Sequence, residues 1–247
     1  MPGELIELEG EVQDLVAAVV RLSGYQFALI GGLAVMIRLG EQHRVTGDLD
    51  GVFDNPTDTP TTATLVAAGV AQDAAAIQRV VVEGTNVDII DTFALPDDTS
   101  ALPDEPKDRL FVCAHRYAFE VATPVRLAAA GRRTEVRVAP PAALVATKAH
   151  ALRYASTGRR ATKRSSDLYD LYRLCAVHMP TIAGDLAPAP WALRQQVAKA
   201  LGDDLADLEQ ALAVLRAAPG IAAINPDDFA DVLAELLGRL SSDAPEA

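Results

Sequence analysis

Cysteine is nearly absent. The 247 residues hold two, Cys113 and Cys175, too few and too far apart for a disulfide scaffold. The four histidines, His43, His115, His150 and His178, are scattered, and no Cys and His grouping supports a zinc site. Aromatic residues are sparse, with five tyrosines, six phenylalanines and one tryptophan spread along the chain. That excludes a base-stacking platform, so any contact with RNA falls to phosphates. Tyr154, Tyr169 and Tyr172 read as packing residues with a wet hydroxyl. Long apolar runs are missing, and the opening Met1-Pro2-Gly3-Glu4-Leu5 is acidic rather than basic. Neither export nor membrane spanning is expected, and a cytoplasmic protein is. Positive charge is also short, 22 Lys and Arg against 34 Asp and Glu for a net charge of -12, which makes a poor nonspecific nucleic-acid binder. What the chain has in quantity is apolar residues, half of the total, enough for one large core or two modest ones.

An amphipathic helix is expected from about Glu4 to Leu22, then a short buried strand, Phe27-Ala28-Leu29-Ile30, ending in the glycines Gly31 and Gly32. Leu33 to Leu39 reads as a helix stopped by Gly40. A glycine turn entering a helix suits phosphate, because small residues let the backbone approach and the free amides of the first turn point at an anion. Asp48-Leu49-Asp50 follows within Arg44-Val45-Thr46-Gly47-Asp48-Leu49-Asp50. On a strand, Asp48 and Asp50 project to one face and Leu49 to the other. Two parallel carboxylates repel, and a hard cation with oxygen ligands, most often magnesium carrying substrate phosphates, compensates them. Each half of this pattern has a blander reading as a tight connection or a solvated strand end. Asp88 strengthens it, since an ionised carboxylate among Val87, Ile89 and Ile90 is costly unless paired or metal-bound.

Downstream, Asn55 to Pro60 is turn-rich and Thr61 to Ala68 reads as a short helix. Gln78 to Glu83 and Asn86 to Asp91 form an expected hairpin around Gly84-Thr85, Leu95 to Pro106 a loop, and Val121 to Leu127 with Thr134 to Val138 a second hairpin. From Pro140 onward only helices are expected: 141 to 154, 165 to 178, 190 to 201, 203 to 217 and 226 to 240, with a disordered tail from Ser241. Lys148 falls mid-helix, where a snorkelling surface lysine is the ordinary case. Asp167 and Asp170 share a helix face beside Leu168, Leu171 and Leu174. Asp167 near a helix start has capping as its bland reading, whereas Asp170, deeper among apolar residues, calls for a partner such as Lys148.

Charge is unevenly spread. Gly131 to Ser166 holds nine basic residues and one acidic one, a local charge of +8 that leaves -20 on the remainder. Arg159, Arg160, Lys163 and Arg164 flank Ser156-Thr157-Gly158 and Ala161-Thr162, a loop-like setting from which cations reach phosphates. The alternative is a solvated basic loop balancing an acidic surface.

The Gly-Gly turn, the Asp-x-Asp pair and the third carboxylate together resemble the nucleotidyltransferase superfamily of the polymerase beta type. Lys148-Ala149-His150-Ala151-Leu152-Arg153 and Lys163 to Leu171 are similar to the closing motifs of the AbiEii-type toxins, including the MenT-like group, so the resemblance covers about residues 25 to 175. It implies an α/β (α+β) fold: a nucleotidyltransferase core with a mixed sheet over 1–139, and a helical subdomain over 140–247 completing the nucleotide cleft. It implies Asp48, Asp50 and Asp88 as metal ligands for one or two magnesium ions, with Asp88 also placed to take a proton. Lys148 and Asp170 join them as catalytic residues, and Gly31, Gly32, Arg44, Thr46 and Asp167 are placed with the nucleoside triphosphate. The chain departs from the pattern at Gly32, where many relatives have serine; backbone amides are left to do that work. The implied activity is transfer of NMP to an acceptor hydroxyl, the tRNA 3′ end, by a toxin with a cognate antitoxin protein.

Three other readings stay open at this stage: a nucleotidyltransferase acting on a small molecule or protein side chain, antibiotic-modifying or AMPylating; a degenerate nucleotide-binding protein; and a helical interaction module over 185–247. No local motif names the triphosphate, the acceptor or the oligomeric state.

Overall fold

The computed structural model describes residues 5–8, 12–55, 57, 59–74, 76–92, 102–154, 160–186, 188–205, 207–216 and 224–241. The chain divides into two compact units, one built from residues 1–97 and 115–140, the other from 98–114 and 141–247. The expected tail beyond residue 241 and Arg159 lie outside the described residues.

The first unit is one mixed sheet with helices against it. Its strands are β1 (Leu5–Glu7), β2 (Phe27–Ile30), β3 (Asp48–Asp54), β4 (Ala71–Gln72), β5 (Arg79–Val82), β6 (Thr85–Thr92), β7 (Thr123–Ala129) and β8 (Arg132–Val138). They lie in the order β1-β7-β8-β2-β3-β6-β5-β4. β2 runs antiparallel to β3, and β3 parallel to β6. The interleaved helices are α1 (Gln13–Leu22), α2 (Gly31–Leu39), α3 (Thr61–Ala67) and α4 (Pro106–Glu120), the last of which crosses the unit boundary at residue 114. Val16, Val19, Leu29, Val35, Leu49, Val52 and Val87 are fully buried and form the centre of this core.

Several boundaries differ from the sequence-based expectation. The first helix starts at Gln13 rather than Glu4, because Leu5–Glu7 pairs with β7 as an edge strand. Gly31 and Gly32 are the first two residues of α2 instead of the end of a strand. The hairpin turn is Glu83-Gly84, with φ of 50° and 79°, so Thr85 belongs to the strand and pairs with Val82. Two residues at positive φ match the twist of a two-residue hairpin, and glycine adopts that conformation at no steric cost. No element was expected over 107–120, yet Pro106 opens α4, where its missing N–H is no loss. The buried Leu110, Cys113, Ala114, Tyr117 and Ala118 form its apolar stripe.

Arg38, in the last turn of α2, donates through Nε to the carbonyl of Ala139 at 2.9 Å and through Nη2 to Thr123 Oγ1 at 2.7 Å and the carbonyl of Val138. The helix is thereby tied to the end of β8 and the start of β7. Burial lowers the Arg38 pKa from its ordinary value.

The second unit is helical: α5 (Pro141–Tyr154), α6 (Arg160–Leu186), α7 (Trp191–Leu205), α8 (Leu208–Arg216) and α9 (Pro226–Ser241). α5 packs on α6 and α7, and α9 on α6 and α7. α6 runs past the expected end at His178, where the backbone leaves helical geometry (φ -120°, ψ 16°) two residues before Pro180, whose ring and missing N–H break the ladder. Both cysteines are buried and unbridged, and burial pushes the Cys175 thiol up to about 12. Among the described residues, no helix is long and apolar enough to cross a membrane.

Candidate active site

The alternation of β3 places Asp48 and Asp50 on one face and fully buries Leu49 on the other. In the parallel pairing with β6, Asp50 lies beside Asp88 and Leu49 beside Val87. One carboxylate oxygen from each of Asp48, Asp50 and Asp88 falls within 4.8 Å of the others. All three residues are half-buried, on adjacent strands of the sheet. A set of three hard, anionic oxygens at this spacing has the donor chemistry of a Mg²⁺ site. Asp91, three residues further along β6, is engaged elsewhere, since its Oδ2 accepts the Thr61 amide at the start of α3, at 2.9 Å.

The glycines of α2 fit around these carboxylates. Gly31 has φ of 68°, and a Cβ there would lie 1.9 Å from Asp50 Oδ2. Only glycine gives Asp50 its place. A Cβ on Gly32 would meet Arg44 Nη2 at 2.6 Å and Thr46 Oγ1 at 2.7 Å. The guanidinium and the hydroxyl therefore sit where a side chain at position 32 would project. Thr46 Oγ1 in turn reaches Asp48 Oδ1 at 3.4 Å. Gly31, Gly32, Arg44, Thr46, Asp48 and Asp50 thus form one cluster at the N-terminus of α2.

Arg79 is a member of the site that no sequence motif marked. It lies on β5 directly opposite Asp88, and its fork binds both carboxylate oxygens, Nε to Oδ1 at 2.7 Å and Nη2 to Oδ2 at 2.8 Å. Its Nη1 is 3.9 Å from Asp73 Oδ2. The hydrogen bond to Asp88 holds the guanidinium above its ordinary pKa; the charges of Asp88, Asp48 and Asp73 add to this, and burial opposes it.

A second charged cluster lies in the helical unit. Lys148 of α5 contacts Asp167 Oδ1 at 2.5 Å and Asp170 Oδ2 at 2.8 Å, both on α6. The three residues are 5%, 3% and 0% exposed. Because α6 begins at Arg160, Asp167 is two turns inside the helix, which removes the capping account and makes it a partner of Lys148 alongside Asp170. The basic stretch is partly consumed by the fold. Arg137 donates through Nη2 to the carbonyl of Phe119 at 2.6 Å and lies over the Phe119 ring, and Arg153 pairs with Asp203 at 3.6 Å. Arg160, Lys163 and Arg164 occupy the first turns of α6 rather than a loop.

The family described as "Nucleotidyl transferase AbiEii toxin, Type IV TA system" matches residues 13–244. Among solved structures, the chain is similar to an antigenic nucleotidyltransferase-like protein from Paracoccidioides brasiliensis, at 15% identity over 85% of this chain and 95% of that one, with a TM-score of 0.47. It is also similar to the RV2827C protein from Mycobacterium tuberculosis, at 17% identity over 94% of this chain and 72% of that one, with a TM-score of 0.31. No curated protein matches.

Proposed function

The chain belongs to the AbiEii nucleotidyl transferase toxin family, and from that premise we propose a Mg²⁺-dependent enzyme that transfers NMP from an NTP to the 3′ end of tRNA. The observation that carries the metal half is the clustering of Asp48, Asp50 and Asp88 oxygens within 4.8 Å. These three residues would hold the ion or ions. A bound divalent cation supplies charge neutralisation at the phosphates and acidifies the attacking hydroxyl. The reaction is attack of that hydroxyl on the α-phosphorus, with pyrophosphate leaving.

The chain's own groups do the rest. The amides of the first turn of α2, which have no partner within the helix, receive the outgoing phosphates. Arg44 and Thr46 offer a guanidinium and a hydroxyl at the place where many relatives present a serine. Lys148, with Asp170 and Asp167, is assigned to substrate handling. Energetics support a functional role, because a buried ion triad is often no more stable than apolar residues of the same volume.

The RNA half rests on Arg159, Arg160, Lys163 and Arg164. The first turn of α6 holds no acidic residue, although a helix N-terminus favours negative charge. Basic residues placed there against the helix dipole suit a phosphate partner. Family membership also supports a cognate antitoxin protein as partner.

The test is incubation of the protein and its Asp48→Asn variant with Mg²⁺, total tRNA and each α-labelled NTP in turn. Label is expected on tRNA, falling by about a thousandfold or more in the variant, the scale of several kcal/mol of lost transition-state stabilisation. Label on protein alone would replace tRNA with a protein acceptor, and labelling that survives in Asp48→Asn would sink the metal site.

A further inference from the structure

Three carboxylates whose oxygens approach within 4.8 Å repel one another whenever no cation lies among them. The fold provides a compensating charge. Arg79 faces Asp88 across the β5–β6 pair and binds both of its oxygens, a fork geometry that fixes the carboxylate plane as well as its charge. The same guanidinium has a second carboxylate within ion-pair range, Asp73, at 3.9 Å. Asp73 is held close by the backbone, since its amide donates to the Arg79 carbonyl at 3.0 Å. The Arg79 and Asp73 side chains are 28% and 23% exposed, which leaves room for a change of partner.

We propose that Arg79 is a positioning residue that acts as the counter-ion of the aspartate triad and yields Asp88 to a divalent cation by moving its charge onto Asp73. This rests on the metal reading above. Until the cation arrives the guanidinium fork fixes both oxygens of Asp88, so Asp88 meets the ion as an already oriented ligand. Arg79 also sets the metal affinity: it orders Asp88 but repels a cation arriving beside it. The site therefore stays assembled without metal, and its grip on metal is weaker than three carboxylates alone would give.

The experiment is calorimetric titration of the full chain with Mn²⁺, without nucleotide, together with thermal unfolding in the presence and absence of the ion. Arg79→Gln should bind Mn²⁺ about three- to tenfold tighter than wild type, on the scale of removing one nearby, partly screened charge. Its unfolding midpoint without metal should be lower and its metal-induced gain larger. Arg79→Lys, a point charge without the fork, should fall between. Asp73→Asn should bind several-fold more weakly, because Arg79 then has no second carboxylate to move to, and this loss should vanish in the Arg79→Gln background. A purely structural ion pair would lower the midpoint without tightening Mn²⁺ binding, so unchanged or weaker affinity in Arg79→Gln overturns the inference. An Asp73→Asn loss of equal size in both backgrounds overturns the transfer to Asp73. If wild type binds no Mn²⁺, or Asp48→Asn binds it equally well, the metal reading itself fails and takes this inference with it.

Discussion

At the scale of single residues, the site is decided by where side chains are absent. Gly31 combines positive φ with a Cβ position 1.9 Å from Asp50 Oδ2, so Gly31→Ala must move either the helix start or the carboxylate. We expect it to cost about 1–3 kcal/mol of stability and to weaken Mn²⁺ binding together with transfer, measured by denaturant unfolding and titration. Gly32→Ala meets only the ends of Arg44 and Thr46 and should cost less. The Asp-x-Asp pair was legible in the sequence because strand alternation is fixed by covalent geometry. Arg79 was not, because a cross-strand partner depends on register. Placing the turn at Gly84-Thr85 pairs Asp88 with Val81; the observed turn at Glu83-Gly84 pairs it with Arg79. A shift of one residue in the turn moves the partner by two.

At the scale of elements, α5 and α6 are joined across their interface by Lys148 between Asp167 and Asp170. Lys148→Ala leaves two carboxylates buried without their cation, and a loss of about 3–5 kcal/mol is expected in denaturant unfolding. The triple variant Lys148→Met, Asp167→Asn, Asp170→Asn should recover most of that stability and none of the transfer activity, which separates holding the helices together from handling substrate. The lysine's partner was half legible: helical spacing set the two aspartates on one face, but the start of α6 at Arg160, earlier than expected, turned Asp167 from a cap into a partner. α4 is not marked in the sequence although its apolar residues recur at helical spacing, because Pro106 reads as the end of a loop rather than as an opening helical residue. Most other strands and helices were legible because the apolar period changes from two to 3.6 at their borders.

At the scale of the whole molecule, a chain of net charge -12 can hold a polyanion only through local potential. The sequence shows nine basic residues between Gly131 and Ser166, but counting alone does not reveal that Arg137, Lys148 and Arg153 have internal partners. Neutralising Arg159, Arg160, Lys163 and Arg164 together should weaken tRNA binding far more than NTP binding. The slope of log affinity against log salt should flatten by about three to four, near one for each phosphate no longer neutralised, as read by binding titrations across salt concentrations.

The Arg38 anchor makes α2 a lever. Its near end carries the glycines of the candidate site; Arg38, about 10 Å further along at the helical rise per residue, pins its far end to the Val138 and Ala139 carbonyls. On the proposed function, a position remote from the phosphates sets the aim of the residues that receive them, and damage at the Arg38 end is expected to be read out as a fault in chemistry.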